Sequence, residues 1–181
     1  MSDQTENKSR AKPEIEQKPD PALDELKELA RIVMPCLQCA TCASSCPVFQ
    51  SDSSKNPRRI VYRLCHDEYD GILDEVDFWW CGGCYSCEAH CPQDVPLTRV
   101  LFRLKNLAFL TGRSVPKLIL RTGEALHSGF LFPLKEEIKA KRDRMGLPDL
   151  VIPDVEEIES LLAATEFADR LKKSKTFDDG E

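Results

Sequence analysis

Apolar residues along the chain recur at helical spacing almost throughout. Leu23, Leu26, Ala30 and Val33 step by three and four residues, the period of one face of an α-helix. Asp20 stands where a capping residue belongs, Pro21 takes the first helical position, and Pro35 stops the helix. A second helix is predicted from Asn56-Pro57, again a cap followed by proline. Ile60, Val61, Leu64 and Cys65 share its apolar face, Arg58, Arg59, Arg63 and Asp67 point elsewhere, and Gly71 ends it. A short turn or helix over 72–77 leads into Phe78-Trp79-Trp80. A third helix over about 97–111 carries a wide apolar face of Leu97, Val100, Leu101, Leu104, Leu107 and Ala108, and Gly112 closes it. Ser114-Val115-Pro116 begins a fourth that runs toward Gly129, with Gly123 as its weak point. A highly charged helix is predicted over 133–145 and an extended linker over 146–153. Asp154 begins a last amphipathic helix through about Lys172, with Val155, Ile158, Leu161, Leu162, Thr165 and Ala168 on one side. No convincing strand pattern appears, so the predicted class is mainly α.

Both ends depart from this pattern. Residues 1–20 are charged, contain proline and hold almost no large apolar group, so they are expected to form a disordered arm. Residues 174–181 read as a frayed tail for the same reason. Between them, residues 21–112 form one predicted module and residues 113–173 a helical C-terminal extension suited to contacts with other subunits.

Composition narrows the function. The chain has 181 residues, 41 % hydrophobic and 31 % charged, with a net charge of −6. A nucleic-acid binder usually shows a basic stripe, and this balance argues against one. The longest apolar stretches, 97–110 and 115–120, are broken by Arg103, Lys105, Asn106 and Lys117. None approaches the roughly 18–20 residues of a transmembrane helix. The first 20 residues lack the apolar core of a signal peptide, so a cytoplasmic location is expected. Nine cysteines in such a chain point to metal binding or redox chemistry rather than disulfides.

Eight of the nine fall into two copies of one pattern. Cys36, Cys39, Cys42 and Cys46 precede Pro47; Cys81, Cys84, Cys87 and Cys91 precede Pro92, 45 positions later. Both copies read C-x2-C-x2-C-x3-C-P, the run that holds [4Fe–4S] clusters in bacterial-type ferredoxins. Thiolate sulfur is the soft donor that iron in such a cluster takes. In two-cluster ferredoxins the fourth cysteine of each run ligates the other cluster. Carried over to this chain, Cys36, Cys39, Cys42 and Cys91 hold cluster one, and Cys81, Cys84, Cys87 and Cys46 hold cluster two. Two [4Fe–4S] clusters are therefore the expected cofactors. Zinc sites pair two C-x2-C knuckles and have no use for a third cysteine and an x3-C-P ending in each run.

The loops are filled with small residues, Ala40, Thr41, Ala43, Ser44 and Ser45 in one and Gly82, Gly83 and Ser86 in the other. Such loops let backbone N–H groups approach sulfur. Trp79 and Trp80 are either an aromatic shield for a cluster or ordinary core. Cys65, outside both runs, reads as a buried inert thiol on a helix face. His66 and His127 have no ligand spacing; His90, beside Cys91, reads as a partly exposed loop residue, with a bond toward a cluster as the alternative. Arg58, Arg59 and Arg63 read as a solvated helix face, with an acidic partner or cluster charge to offset as the alternatives. A C-C-G pair, a G-x-G-x-x-G fingerprint and a nucleophile or acid–base constellation are all missing, so the chain resembles a wire without an active site of its own. The 34 residues between Cys46 and Cys81 hold a capped helix, which fits an α-helical ferredoxin module, with two cluster-binding loops between helices, better than a small-sheet ferredoxin.

The segments Cys36-Leu37-Gln38-Cys39-Ala40-Thr41-Cys42, Asn56-Pro57-Arg58 and Trp80-Cys81-Gly82-Gly83-Cys84-Tyr85-Ser86-Cys87, with both C-P endings, resemble the C subunit of heterodisulfide reductase. The resemblance covers about residues 23–112 well and Val155–Ala168 loosely. It implies an electron-transfer subunit that relays electrons between a flavin-bearing A-like subunit and a B-like subunit with Cys-Cys-Gly domains. The alternatives are an iron–sulfur subunit of a related sulfur-oxidising, aromatic-ring-reducing or succinate/fumarate reductase-type complex, or a free ferredoxin. The succinate type usually adds a C-x4-C-x2-C run, which does not occur before Cys36. The long amphipathic flanking helices argue against a free ferredoxin.

Overall fold

The computed structural model describes residues 21–113, 115–130, 134–151, 153–174 and 176–177. The expected arm over 1–20, including the Asp20 cap, and most of the expected tail lie outside these residues. The described chain is mainly helical. α1 (Pro21–Val33), α4 (Pro57–Cys65) and α6 (Leu97–Leu110) form the frame. Three short helices lie in and just after the cysteine runs: α2 (Thr41–Ser44), α3 (Pro47–Ser51) and α5 (Ser86–Ala89). Two 3-10 turns, Ile72–Asp74 and Asp77–Trp80, connect α4 to the second run.

α4 starts as the sequence predicts, because the Asn56 side chain accepts the Arg58 N–H and Pro57 has none to offer. It ends at Cys65, six residues before Gly71. Gly71 instead takes a left-handed φ of 68° and opens the first 3-10 turn. The apolar faces of α1, α4 and α6 meet in one core. Leu29, Val33, Ile60, Leu64, Ile72 and Leu104 are fully buried there, and Phe78 rises into it from the second turn. Arg103 Nε donates to Glu25 Oε1 at 2.7 Å and ties α6 to α1 at the rim. Two ion pairs hold the second turn beneath α4: Arg59 with Asp77 at 2.6 Å, and Arg63 with Glu75. Arg63 is therefore not on the solvated face that its spacing suggested, while Arg59 stays half exposed as it pairs.

The C-terminal extension differs from expectation in three places. Val115-Pro116 does not start a helix but forms β1, and Thr176–Phe177 forms β2, paired parallel to it. So at least this part of the expected frayed tail is paired, and the chain is not wholly strand-free. The reason is proline geometry with a buried Val115, which sends the chain out extended before α7 (Lys117–Leu126) can begin. Gly123 is not a weak point. It lets α10 (Phe167–Lys173) approach, and a Cβ there would stand 2.5 Å from Leu171 Cδ2. The single predicted terminal helix is two, α9 (Val155–Ala164) and α10, broken at Glu166 with φ 56°. The charged helix is α8 (Glu136–Arg144). Phe109 packs at a tilt against Phe167 with ring centres 5.6 Å apart, and Arg170 Nη1 donates to the Leu110 carbonyl at 3.1 Å, so the extension is fastened to the end of α6.

Candidate metal centre

The two cysteine runs repeat in backbone conformation as well as in sequence. The second x of each opening C-x2-C is left-handed, Gln38 at φ 54° and Gly83 at φ 72°. The residue after each second cysteine is left-handed too, Ala40 at φ 65° and Tyr85 at φ 59°. Each pair lies 45 positions apart. Left-handed residues between right-handed ones turn successive N–H groups toward one concave side, a shape suited to anionic guests. Each run then enters a short helix, α2 or α5, and these two helices pack against each other. That contact brings the runs face to face.

Two hollows result. The first is lined by Cys36, Cys39, Cys42 and Cys91, together with Arg58; Cys87 also reaches it. Three of its five cysteines come from the first run and two, Cys87 and Cys91, from the second. The second hollow is lined by Cys46 from the first run and Cys81 from the second, with Ile60, Phe78, Trp80 and Leu101. Cys84 is exposed and lines neither of these two. Cys39 is exposed as well, and the other six run cysteines are half-buried. Among the described residues, no three His, Cys, Asp or Glu side chains converge on a point suited to a single metal ion. The thiols bracket volumes.

Hydrogen bonds already reach several sulfurs. The Gln38 backbone N–H donates to Cys36 Sγ at 3.4 Å and its Nε2 to the same sulfur at 3.6 Å. Val95 N–H donates to Cys91 Sγ at 3.4 Å, and Thr98 Oγ1 lies 3.5 Å from Cys87 Sγ. Thr41 Oγ1 lies 3.2 Å from Cys39 Sγ, and this contact holds the Cys39 thiol below its ordinary range. Cys42 is pushed the other way, to about 11, first by burial and then by the neighbouring Cys36 and Cys87. Burial also raises Cys87, against the pull of Thr98. Buried thiols with this bias stay protonated until a cationic centre displaces the proton.

The residues fit an iron–sulfur group. The donor set is all thiol, the walls of the first hollow are almost wholly apolar, and N–H groups already point at sulfur. Among the described residues, the buried donors Ser45 Oγ and Trp79 Nε1 have no partner, and neither residue lines either of the two hollows.

The two tryptophans divide the readings between them. Trp80 lines the second hollow with Lys55 Nζ 4.9 Å from its ring, a shielding position. Trp79 packs against the core. Cys65 is partly exposed rather than buried; its Sγ donates to the Val33 carbonyl at 3.6 Å, and burial with the nearby Cys36 raises its pKa. His66 stacks on Tyr62 and His90 Nδ1 lies 2.9 Å from the Ser86 carbonyl, so neither joins the centre. Gln38, Thr98 and Lys105 escaped the sequence reading. Lys105 Nζ donates to the Cys81 carbonyl at 2.6 Å, and burial lowers its pKa. Thr98 and Lys105 each carried a signal, a polar residue inside an otherwise apolar helical pattern; Gln38 carried none.

Comparison with known proteins agrees with this centre. A 4Fe-4S dicluster domain model matches residues 32–95, which include all eight run cysteines. The chain is 33 % identical over 132 residues to the C subunit of the Ferredoxin/F(420)H(2)-dependent CoB-CoM heterodisulfide reductase of Methanosarcina acetivorans, spanning 71 % of this chain and 81 % of the relative. It is 34 % identical over 154 residues to the C subunit of the Ferredoxin:CoB-CoM heterodisulfide reductase of Methanosarcina mazei, spanning 78 % and 91 %. This chain belongs to the family of heterodisulfide reductase C subunits. A third relative, the second iron-sulfur C subunit of the CoB–CoM heterodisulfide reductase of Methanocaldococcus jannaschii, is 29 % identical over 153 residues, spanning 78 % of each chain. The chain is thus an iron–sulfur electron-transfer subunit and a component of a multi-subunit reductase. Among the described residues no helix is long and apolar enough to cross a membrane.

Proposed function

We propose that this chain relays electrons within a cytoplasmic heterodisulfide reductase-like complex, between a flavin-bearing subunit and a catalytic subunit with Cys-Cys-Gly domains, and has no active site of its own. Two [4Fe–4S] clusters serve as one-electron carriers when bound. Cys36, Cys39, Cys42 and Cys91 hold the first; Cys81, Cys84, Cys87 and Cys46 hold the second. The observation that carries this reading is the mixed parentage of the two hollows: Cys87 and Cys91 of the second run join the first run's three cysteines, and Cys46 sits with Cys81.

The chain's own residues supply three things. The thiol sets grip the carriers. The apolar walls of Val61, Val95 and Leu97 on one side and Ile60, Phe78 and Leu101 on the other keep water away, which bears on potential. The N–H donors on Cys36 and Cys91 favour added negative charge at those sulfurs.

The test is anaerobic purification from the native host. The chain should carry about eight irons and a matching amount of acid-labile sulfide, by the two-cube assignment. It should co-purify with a Cys-Cys-Gly subunit and a flavoprotein. Four irons or fewer after full reconstitution, or recovery as an isolated monomer, refutes the respective half of the proposal.

A further inference from the structure

Three residues form a chain of contacts at the first hollow. Arg58 sits in the first turn of α4, fixed there by the Asn56 cap. Its Nε donates to Gln38 Oε1 at 3.1 Å. Gln38 Nε2 in turn donates to Cys36 Sγ at 3.6 Å, and the Gln38 backbone N–H reaches the same sulfur at 3.4 Å. The orientation of a carboxamide is decided by its partners, because its two ends look alike in shape. Here one partner leaves no choice. Arginine Nε can only donate, so the amide oxygen faces Arg58 and the NH2 group faces the sulfur. Arg58 itself lines the hollow that holds Cys36, Cys39, Cys42 and Cys91. The second run has no counterpart of Gln38, because the equivalent residue is Gly83; its own polar contacts are Thr98 Oγ1 at 3.5 Å from Cys87 Sγ and Lys105 Nζ on the Cys81 carbonyl.

We infer that Arg58 and Gln38 are positioning residues that raise the reduction potential of the first-run cluster. This rests on the reading that Cys36 holds a cluster iron. Reduction adds negative charge, and hydrogen bonds to ligand sulfur favour the reduced form. The Gln38 side chain supplies one such bond, and Arg58 holds it in the donating sense while adding a cation of its own. Removing the carboxamide deletes the bond. Removing the guanidinium deletes the cation and frees the amide to rotate.

The test uses the full chain carrying its clusters, with Gln38→Met and Arg58→Met. Met keeps the length and the β-carbon of glutamine, so the left-handed backbone of position 38 is equally strained in both. Each variant is titrated redox-wise under paramagnetic resonance, with the first-run signal assigned as the one missing from Cys39→Ser. The expected result is full iron content and a downward shift of that signal's midpoint alone, larger for Arg58→Met. A tenfold shift of the reduction equilibrium corresponds to about 59 mV for one electron. An exchangeable-proton coupling to the first-run cluster should disappear in Gln38→Met, and Arg58→Lys should recover most of the Arg58→Met shift. Unchanged midpoints in Gln38→Met, or equal shifts of both signals, overturn the inference. If Gln38→Met loses iron, Gln38→Asn carries the same readout; loss of iron from both makes Gln38 a holding residue and also overturns it. A wild-type chain without iron and sulfide refutes the cluster reading instead, so the two failures are distinguishable.

Discussion

Crossed ligation makes a sharp demand on four serine variants. Cys39 and Cys84 belong to different clusters whether or not the fourth ligands cross, so Cys39→Ser and Cys84→Ser yield reference spectra of the second and first clusters respectively. Crossing requires Cys46→Ser to resemble Cys84→Ser and Cys91→Ser to resemble Cys39→Ser. Each variant should retain about four of the eight irons, by the two-cube assignment. The energetic consequence follows from chain length. Cys42 and Cys91 lie 49 positions apart, and Cys46 and Cys81 lie 35 apart. Treating each cluster as a cross-link, the loop-closure relation used for disulfides assigns about 4 kcal/mol to each bridge at 25 °C. Within one run, Cys36 and Cys46 are only 10 apart, and the same relation yields about 3 kcal/mol. Cys46→Ser should therefore lower anaerobic denaturation stability by about 4 kcal/mol as one inter-run bridge disappears. Iron and sulfide analysis, low-temperature paramagnetic resonance and guanidinium titration read all of this out. A Cys46→Ser spectrum matching that of Cys39→Ser, with the second-run cluster intact, would refute the crossing.

Three further outcomes are expected. Phe78→Ala, at a side chain only 1 % exposed beneath the second hollow, should cost about 3–5 kcal/mol in anaerobic denaturation, and a loss under about 1 kcal/mol would deny it a structural role. Cys65→Ala should leave iron content unchanged, because its sulfur bonds to the Val33 carbonyl; a drop in iron would make it a ligand. Asp77 is held above its ordinary 3.8 by burial, against the pull of Arg59. A carboxyl raised on folding stabilises the fold at low pH and loses that contribution as pH climbs through the raised value. Asp77→Asn should therefore flatten the fall in stability with pH just above 3.8, measured by denaturation at stepped pH; an unchanged slope refutes the assignment.

The frame was legible because its signals are local. Asn56-Pro57 announces α4, Gly112 closes α6 with φ 70°, and the apolar steps of α1 mark the face that is buried. Other features depend on contacts that no local pattern carries. Val115-Pro116 looks like a helix start until Thr176–Phe177 arrives to pair with it from about 60 positions away. Gly123 looks like a helix weakness until Leu171 packs where a β-carbon would stand. Glu166 breaks the last helix in a left-handed conformation that an ordinary residue does not advertise. At the centre, the eight cysteines were readable from spacing alone, while the groups that touch them were not. Gln38 sits in the run as an unremarked spacer, and only the fold brings Arg58, twenty positions on, to its amide.

The division between core and runs explains how one small chain can be both scaffold and carrier. The buried core consists of aliphatic and aromatic side chains from α1, α4, α6 and the two 3-10 turns, and the run cysteines only pack against its margin. Apolar burial therefore positions the helix ends from which both loops leave. The loops themselves have short helices, left-handed residues and exposed Cys39 and Cys84, and bury little. Their facing arrangement rests on the contact between α2 and α5, to which bound clusters would add bridges. A bridge of about 4 kcal/mol is a large share of the roughly 5–15 kcal/mol that holds a typical domain. A fold arranged this way keeps its helical frame under apolar control and sets the two runs at its margin. Packed helices on one side and half-exposed cysteine runs on the other place the candidate centres at the margin of the core, close to the surface where an electron relay between subunits must exchange electrons.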